Sequence, residues 1–437
     1  MKRKFFAYTI PSVVSMWLYS FYTMADGFFV ARGVGPMALA SVNIAMPYIN
    51  FIFGLSMLCS VGASTVTAIY LGRGETDNAS DAFMTSMTSL FAASLLVAVC
   101  SFAFTGKLAA FLGATPRLDA GVTEYLSIIA CFTPFFVMTY FFEVMSRVDG
   151  HPRLAAISVA LAGATNIVLD YLFVLVLGWG IKGAAYATGI AQTLPAVMLC
   201  AHLKFRGRRL NFRAFTYKLS YVLRGFRLGL GDSVTEFSVG AVIFLFNHRV
   251  LDIIGEEGLT SYTVTAYATT LAIMTMCGIS QGMMPITSYS HGKRDMDTSR
   301  RVLRLALITA TACGMSWFLI SEIFASGIAS IFINAEANPE IHSDTVRAFR
   351  IYAASFSLIG INIVLATFFS TVERPLYGII LSSCRGLFVI AASLYAMSGI
   401  FGAPGIWLSP TVSEAVCAAI GVTMLTRMYK RGGGHDG

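Results

Sequence analysis

Apolar runs of about 20 residues, separated by short breaks rich in Gly, Pro and charge, recur from one end of the chain to the other. A helix crossing the roughly 30 Å hydrocarbon core of a bilayer needs about 20 predominantly apolar residues. Twelve segments meet that requirement, near 5–31, 36–70, 82–105, 121–146, 153–177, 183–203, 226–253, 260–289, 302–333, 348–371, 376–398 and 403–427. The pattern predicts an all-α integral membrane protein of twelve transmembrane helices. Nothing between the runs is long enough for a sizeable extramembrane domain, so a substrate site has to lie among the helices.

Composition agrees: 56% of residues are hydrophobic, only 12% are charged and the mean hydropathy is +0.71, which excludes an ordinary soluble domain. Met1-Lys2-Arg3-Lys4 precedes an apolar run too long for a secretory signal, with Asp26 where a small-residue cleavage site would fall. That run reads as the first span. The basic residues Lys2 to Lys4, Arg73, Arg147, Arg153, the cluster from Lys204 to Arg227, Lys293 to Arg304, Arg374 and Arg427 to Arg431 all fall on one side of a twelve-span arrangement. By the positive-inside rule that side is cytoplasmic, which predicts a multi-pass protein of the cell membrane with both termini in the cytoplasm. The net charge of +8 is then a mark of topology, with anionic lipid contact as a secondary use, and nucleic acid is not an expected partner. The eight cysteines are scattered singly and the six histidines form no paired-ligand spacing, so no metal centre is expected; no phosphate-binding GxxxxGK[ST] loop is present. With neither a nucleophile–base pair nor a metal constellation, an intramembrane enzyme is disfavoured, and no cofactor is expected.

Asp26 and Asp170 sit deep inside apolar runs, where a charged side chain costs a few kcal/mol or more. Each follows a polar residue by one helical turn, Tyr22 before Asp26 and Asn166 before Asp170, so each carboxylate can be solvated from its own helix. Such a pair suits a proton or a small cation, and if shared it titrates as one coupled unit. Further polar residues inside the spans are Asn43, Glu143 near Arg147, Glu236, Glu322, Glu414 and Arg385, whose partner the sequence does not name. Pro11 removes a backbone hydrogen bond from the first span and allows a bend or hinge there.

The second strong pattern is an internal repeat. Gly72-Arg73-Gly74-Glu75-Thr76-Asp77 after the second span is echoed by Gly292-Lys293-Arg294-Asp295-Met296-Asp297 after the eighth. Val148-Asp149-Gly150-His151-Pro152 recurs in shortened form as Val372-Glu373-Arg374-Pro375, and Gly183-Ala184-Ala185 as Gly405-Ile406-Trp407. Six spans per half is an even number, so both halves enter from the same side and are expected to be related by a pseudo-twofold axis along the membrane normal. The expected organisation is an N-terminal six-helix lobe over 1–203, a basic cytoplasmic linker over 204–225 and a C-terminal six-helix lobe over 226–437.

These residues carry a family resemblance. Asp26 with Gly33 to Ala40, Gly62-Ala63-Ser64 and Gly72-Arg73-Gly74 resemble the first two spans of the multidrug and toxic compound extrusion family. Asn166-Ile167-Val168-Leu169-Asp170 and Gly180 to Thr188 resemble its fifth and sixth spans, and Gly278-Ile279-Ser280-Gln281-Gly282 with Pro285 its eighth. The resemblance implies an antiporter that exports organic cations by alternating access, driven by inward proton or sodium flow and working as a monomer in the bilayer. In the proton-coupled branch it implies an ion-coupling set on Asp26, Asp170, Asn166, Tyr22 and Thr188. Glu236 matches a glutamate of the sodium-coupled branch, but the tenth span, Phe349 to Thr371, lacks that branch's aspartate. Glu236, Glu414, Asn43 and Glu143 are further candidates for substrate or second-lobe contacts. A flippase for a lipid-linked substrate in the same superfamily is the alternative, and it would be expected to line its cleft with basic residues.

Overall fold

The computed structural model describes the backbone of residues 1–34, 36–114, 116, 118–210, 212–332, 336 and 339–432, and their side chains except at 22–28, 30–33, 36, 37, 39, 40, 43, 235–237, 240, 256, 260, 331, 332, 431 and 432. The described residues are almost entirely helical, and none lies in a strand. In chain order the helices are α1 (Lys2–Gly33), α2 (Pro36–Arg73), α3 (Thr76–Ala103), α4 (Thr105–Phe111), α5 (Asp119–Asp149), α6 (Pro152–Asp170), α7 (Gly180–Arg206), α8 (Leu219–Ile253), α9 (Glu256–Gly292), α10 (Met296–Phe332), α11 (Pro339–Ala353), α12 (Phe356–Thr371), α13 (Pro375–Ser383), α14 (Val389–Phe401) and α15 (Ala403–Gly432). Each of the twelve expected spans falls on this framework. Among the described residues nine helices are long and apolar enough to cross a membrane, and α11 with α12, bent by 41°, makes a tenth as a broken span. α1 and α8 cover the first and seventh expected spans.

Two spans carry a feature that apolar periodicity does not reveal. Tyr171–Val176 continues α6 as a π-helical segment, and Cys384–Phe388 joins α13 to α14 in the same way. They lie in the fifth and eleventh spans, which correspond in the repeat, but at different depths, one beginning 19 residues after Pro152 and the other 9 after Pro375. Such widened turns frequently occur at functional sites.

The repeat motifs prove to be helix-stopping turns. After α2, Gly74 N–H donates to Leu71 O and Glu75 N–H to Tyr70 O; after α9, Arg294 N–H donates to His291 O and Asp295 N–H to Ser290 O. The second pair of turns matches in the same way, with His151 N–H to Ser146 O after α5 and Arg374 N–H to Phe369 O after α12. This is the capping motif in which one left-handed residue lets the chain reverse onto the last carbonyls. Gly74 and Gly150 take that conformation at φ 77° and 100°, whereas Arg294 and Glu373 adopt it with a side chain at φ 61° and 56°. Pro152 and Pro375 then open the next helix, where a missing N–H costs nothing.

The chain divides into two compact units. The N-terminal unit holds Phe6–Gly229 and Ser288–Met296; the C-terminal unit holds Met1–Phe5, Leu230–Thr287 and Asp297–Gly437. In the N-terminal unit α5 is the central helix, packed against α2, α3 and α7 and buried from Val137 to Asp149. In the C-terminal unit α12 packs on α13 and α15, and α14 on α15. The unit boundary falls inside α8 and α9, and close glycine packing accounts for the short segment that joins the N-terminal unit. A Cβ on Gly72 would lie 2.0 Å from Tyr289 O, and one on its repeat equivalent Gly292 would lie 2.0 Å from Ile69 O. Backbones approach that closely only where side chains are absent.

The basic segment 204–225 also lies wholly within the N-terminal unit. The buried Asp149 carboxylate accepts from the backbone N–H groups of Arg208, Arg209 and Leu210 at 2.7 to 3.1 Å and contacts His151 Nδ1 at 2.9 Å. Arg213 pairs with Asp77, and Tyr221 donates to Asn78 at 3.1 Å. Gly62 and Gly225 bring α2 and α8 together, a Cβ on Gly62 falling 1.8 Å from Gly225 O.

Candidate functional site

In the N-terminal unit α6 carries Asn166 and Asp170 one turn apart, 1% and 0% exposed respectively. α7 runs alongside because Gly183 leaves room for it: a Cβ there would lie 3.0 Å from the backbone of Phe173, in the π-helical segment. That packing brings Thr188 to Asn166, whose Nδ2 donates to Thr188 Oγ1 at 3.5 Å, while Thr188 donates to Ala184 O at 2.9 Å. Asn166 Oδ1 is buried and accepts no hydrogen bond among the described residues. Thus three of the five expected coupling residues, Asn166, Asp170 and Thr188, are gathered on two adjoining helices, with Asp170 at the point where α6 widens. The side chains of Tyr22 and Asp26 lie outside the described residues, as do those of Asn43 and Glu236.

The other candidates sort by their partners. Glu143 forms an ion pair with Arg147 on the next turn of α5, both buried. Glu322 meets Arg350 at 3.6 Å, near the surface. Glu414 on α15 is 7% exposed and accepts from Arg385 Nε at 2.8 Å and from Asn362 Nδ2 at 2.6 Å. Asn362 also donates to the Glu414 backbone carbonyl at 2.8 Å. The partner of Arg385 is therefore Glu414, and the tenth span contributes an asparagine to this group. Pro11 sits within α1, and Ser15 donates to its carbonyl at 2.9 Å. Among the aromatics, Tyr19 stacks on Phe53 with centroids 5.6 Å apart and Tyr140 meets Phe53 edge-on at 5.3 Å, while Phe141 and Phe142 are core.

One residue escaped the sequence reading. Asp232 on α8 lies in a close helix crossing, where Gly231 faces the backbone of Gly378. Thr367 Oγ1 donates to Asp232 Oδ1 at 3.4 Å, and Oδ2 is buried with no hydrogen bond from another described residue. The signal that singled out Asp26, an acid inside an apolar run, was present here too, one turn before Glu236. Among the described residues no three His, Cys, Asp or Glu side chains are grouped to hold a metal ion.

The sequence profile of the MatE family matches residues 11–172 and again residues 232–394. The chain is a member of the MatE family. Two matches of one profile account for the internal repeat, and they open on Pro11 in the first half and Asp232 in the second. MatE proteins are transporters, which sets aside the enzyme reading. Among curated relatives, the multidrug export protein MepA of Staphylococcus haemolyticus (strain JCSC1435) is 20% identical over 428 residues, covering 97% of this chain and 93% of its own. An outward-facing multidrug resistance MATE family transporter of the MOP superfamily superposes with a TM-score of 0.91 at 22% identity, covering 98% of this chain and 97% of its own. A MOP superfamily transporter from Pyrococcus furiosus Vc1 (DSM3638), described as having a binding pocket of reverse polarity, gives 0.90 at 22% identity, covering 98% of this chain and 95% of its own. The likeness over nearly the whole chain makes this the twelve-helix MATE fold of a multi-pass membrane protein.

Proposed function

We propose that this MatE protein is a cation-coupled antiporter of the cell membrane that exports organic cations by alternating access. The observation that carries the reading is the half-buried Asn166–Thr188 contact one turn from the buried Asp170, in a chain whose curated relatives are multidrug export proteins. The coupling set is Asp26, Asp170, Asn166, Tyr22 and Thr188, and the coupling ion is a proton or sodium. A cationic substrate binds while the carboxylates are ionised; an ion arriving from outside neutralises them and weakens that attraction. One charge moving through about 100 mV supplies roughly 2.3 kcal/mol, enough for about a 50-fold concentration ratio. Both termini are cytoplasmic in this reading, the lobes are 1–203 and 226–437, and the single chain is the working unit. Against the flippase alternative, the one arginine deep in the eleventh span is neutralised by Glu414.

The test is export of a fluorescent cation, read as its accumulation inside everted vesicles whose outer face is the cytoplasmic one, with pH and sodium gradients imposed separately. One gradient should drive efflux, and Asp26→Asn or Asp170→Asn should abolish it while leaving protein in the membrane. Normal efflux in both variants overturns the coupling assignment, and failure under both gradients favours the flippase.

A further inference from the structure

α3, α5 and α7 of the N-terminal unit leave a groove of about 450 Å³ between them. Its cause is a mismatch of side-chain size. α7 presents Ala196, Cys200 and Ala201 opposite the larger Phe91, Met138 and Phe142. The walls are almost wholly carbon. Thr88, at one edge, donates its hydroxyl to Met84 O at 2.9 Å and so turns it back to its own helix. The outer rim is open, with Phe91 48%, Val197 57% and Phe205 76% exposed, and in a membrane-spanning helix that exposure faces lipid.

Length and charge together select an occupant. The lining residues run from Pro134 to Phe142 on α5 and from Ala196 to Phe205 on α7. At 1.5 Å per residue these stretches are about 12 and 14 Å long, close to half of the roughly 30 Å hydrocarbon core. The groove therefore has the depth of one leaflet. Lys204 lines its mouth, where α7 ends. Its ammonium lies 5.4 Å from the Phe205 ring centroid, and among the described residues no carboxylate pairs with Lys204 or with the exposed Arg206 beside it. An apolar slot one leaflet deep, opening at Lys204, matches a lipid with a negative headgroup.

The geometry points to a binding site for one anionic phospholipid, with an acyl chain in the groove between α3, α5 and α7 and its phosphate held by Lys204. The site rests on the membrane assignment of the fold and is independent of the ion or cargo transported. One cation near an anionic headgroup contributes about fivefold in affinity.

The full chain, purified in neutral detergent, is titrated with dioleoylphosphatidylglycerol, with dioleoylphosphatidylcholine of the same chains, and with inorganic phosphate, while retained lipid is followed by native mass spectrometry and melting by thermal shift. The phosphatidylglycerol is expected to be retained as a single copy at roughly fivefold lower concentration than the phosphatidylcholine, and phosphate alone to give no shift. Lys204→Gln should erase the preference with the melting of the lipid-free protein unchanged, and Ala201→Phe should lower retention of both lipids. Equal retention of the two lipids by the unsubstituted protein, a preference that survives Lys204→Gln, or an equal response to phosphate alone overturns the site.

Discussion

Arg385 and Glu414 offer the sharpest test of how this fold tolerates charge. The two groups meet at 2.8 Å with side chains 12% and 9% exposed, and Asn362 holds the other Glu414 oxygen at 2.6 Å. Arg385 lies in the π-helical segment within the long apolar stretch Pro375–Phe401, far from either end where it could reach water. Glu414→Leu leaves a guanidinium without its counter-ion and Asn362 with only the backbone carbonyl as acceptor. Removing one partner of a buried pair costs about 3–5 kcal/mol, whereas replacing both by apolar residues of similar volume is often neutral or stabilising.

At about 2–4 °C per kcal/mol for a unit of this size, Glu414→Leu or Arg385→Met should lower the melting temperature in detergent by roughly 6–20 °C. The double variant should recover most of that loss. A double variant as unstable as the worse single one would refute the reasoning, because the pair would then be supplying net stability rather than cancelling mutual costs. The same variants separate two roles of Glu414. If it serves only to neutralise Arg385, the double variant that melts normally should also transport normally; normal melting without efflux would make Glu414 a contact for substrate or ion.

Gly72→Ala and Gly292→Ala should destabilise by similar amounts, about 1–3 kcal/mol or more, because each new methyl would meet a carbonyl oxygen 2.0 Å away at equivalent places in the repeat; thermal melting measures this, and a tolerated change at either glycine would refute the crossing. Asp149→Ala removes the acceptor for three backbone N–H groups of residues 208–210, at about 1–3 kcal/mol for each donor left buried. Limited trypsin digestion should then cut at Arg208 or Arg209 faster than in the unsubstituted protein, and unchanged digestion would refute the clamp.

The spans and the order of turns were legible because each is written locally, in a run of apolar residues or a Gly–Pro punctuation. The Glu143–Arg147 pair was legible for the same reason, since its members are one helical turn apart on α5. Arg385 and Glu414 are 29 positions apart and on different helices, so only packing joins them. The π-helical turns were not legible, because a widened turn keeps the hydropathy of its helix. Nor was the break near Ala354 and Ser355, which lies within a continuous apolar run. Arg294 and Glu373 hide their left-handed turns behind ordinary residues; such backbone costs about 1–3 kcal/mol, and the turn is recognised only by analogy with Gly74 and Gly150. Asp232 is a different case. Its sequence signal, an acid inside an apolar run, is as clear as that of Asp26, and it lies one helical turn before Glu236.

Each half holds a buried acid balanced by an arginine, Glu143 by Arg147 and Glu414 by Arg385, beside a buried aspartate of another kind, and the contrast bears on the proposed coupling. In the C-terminal unit Glu414 is already balanced by a guanidinium, so an incoming cation would compete with a fixed charge and gain little from electrostatics. In the N-terminal unit Asn166, one turn before Asp170 on α6, and Thr188 on α7 supply a neutral amide and a hydroxyl that can reorient around a proton or a cation. Asp232 stands between these cases, held by the Thr367 hydroxyl and without a basic partner among the described residues. With one acid of the C-terminal unit balanced by a guanidinium and another held by a hydroxyl, the halves need not share one coupling chemistry even though they share one fold.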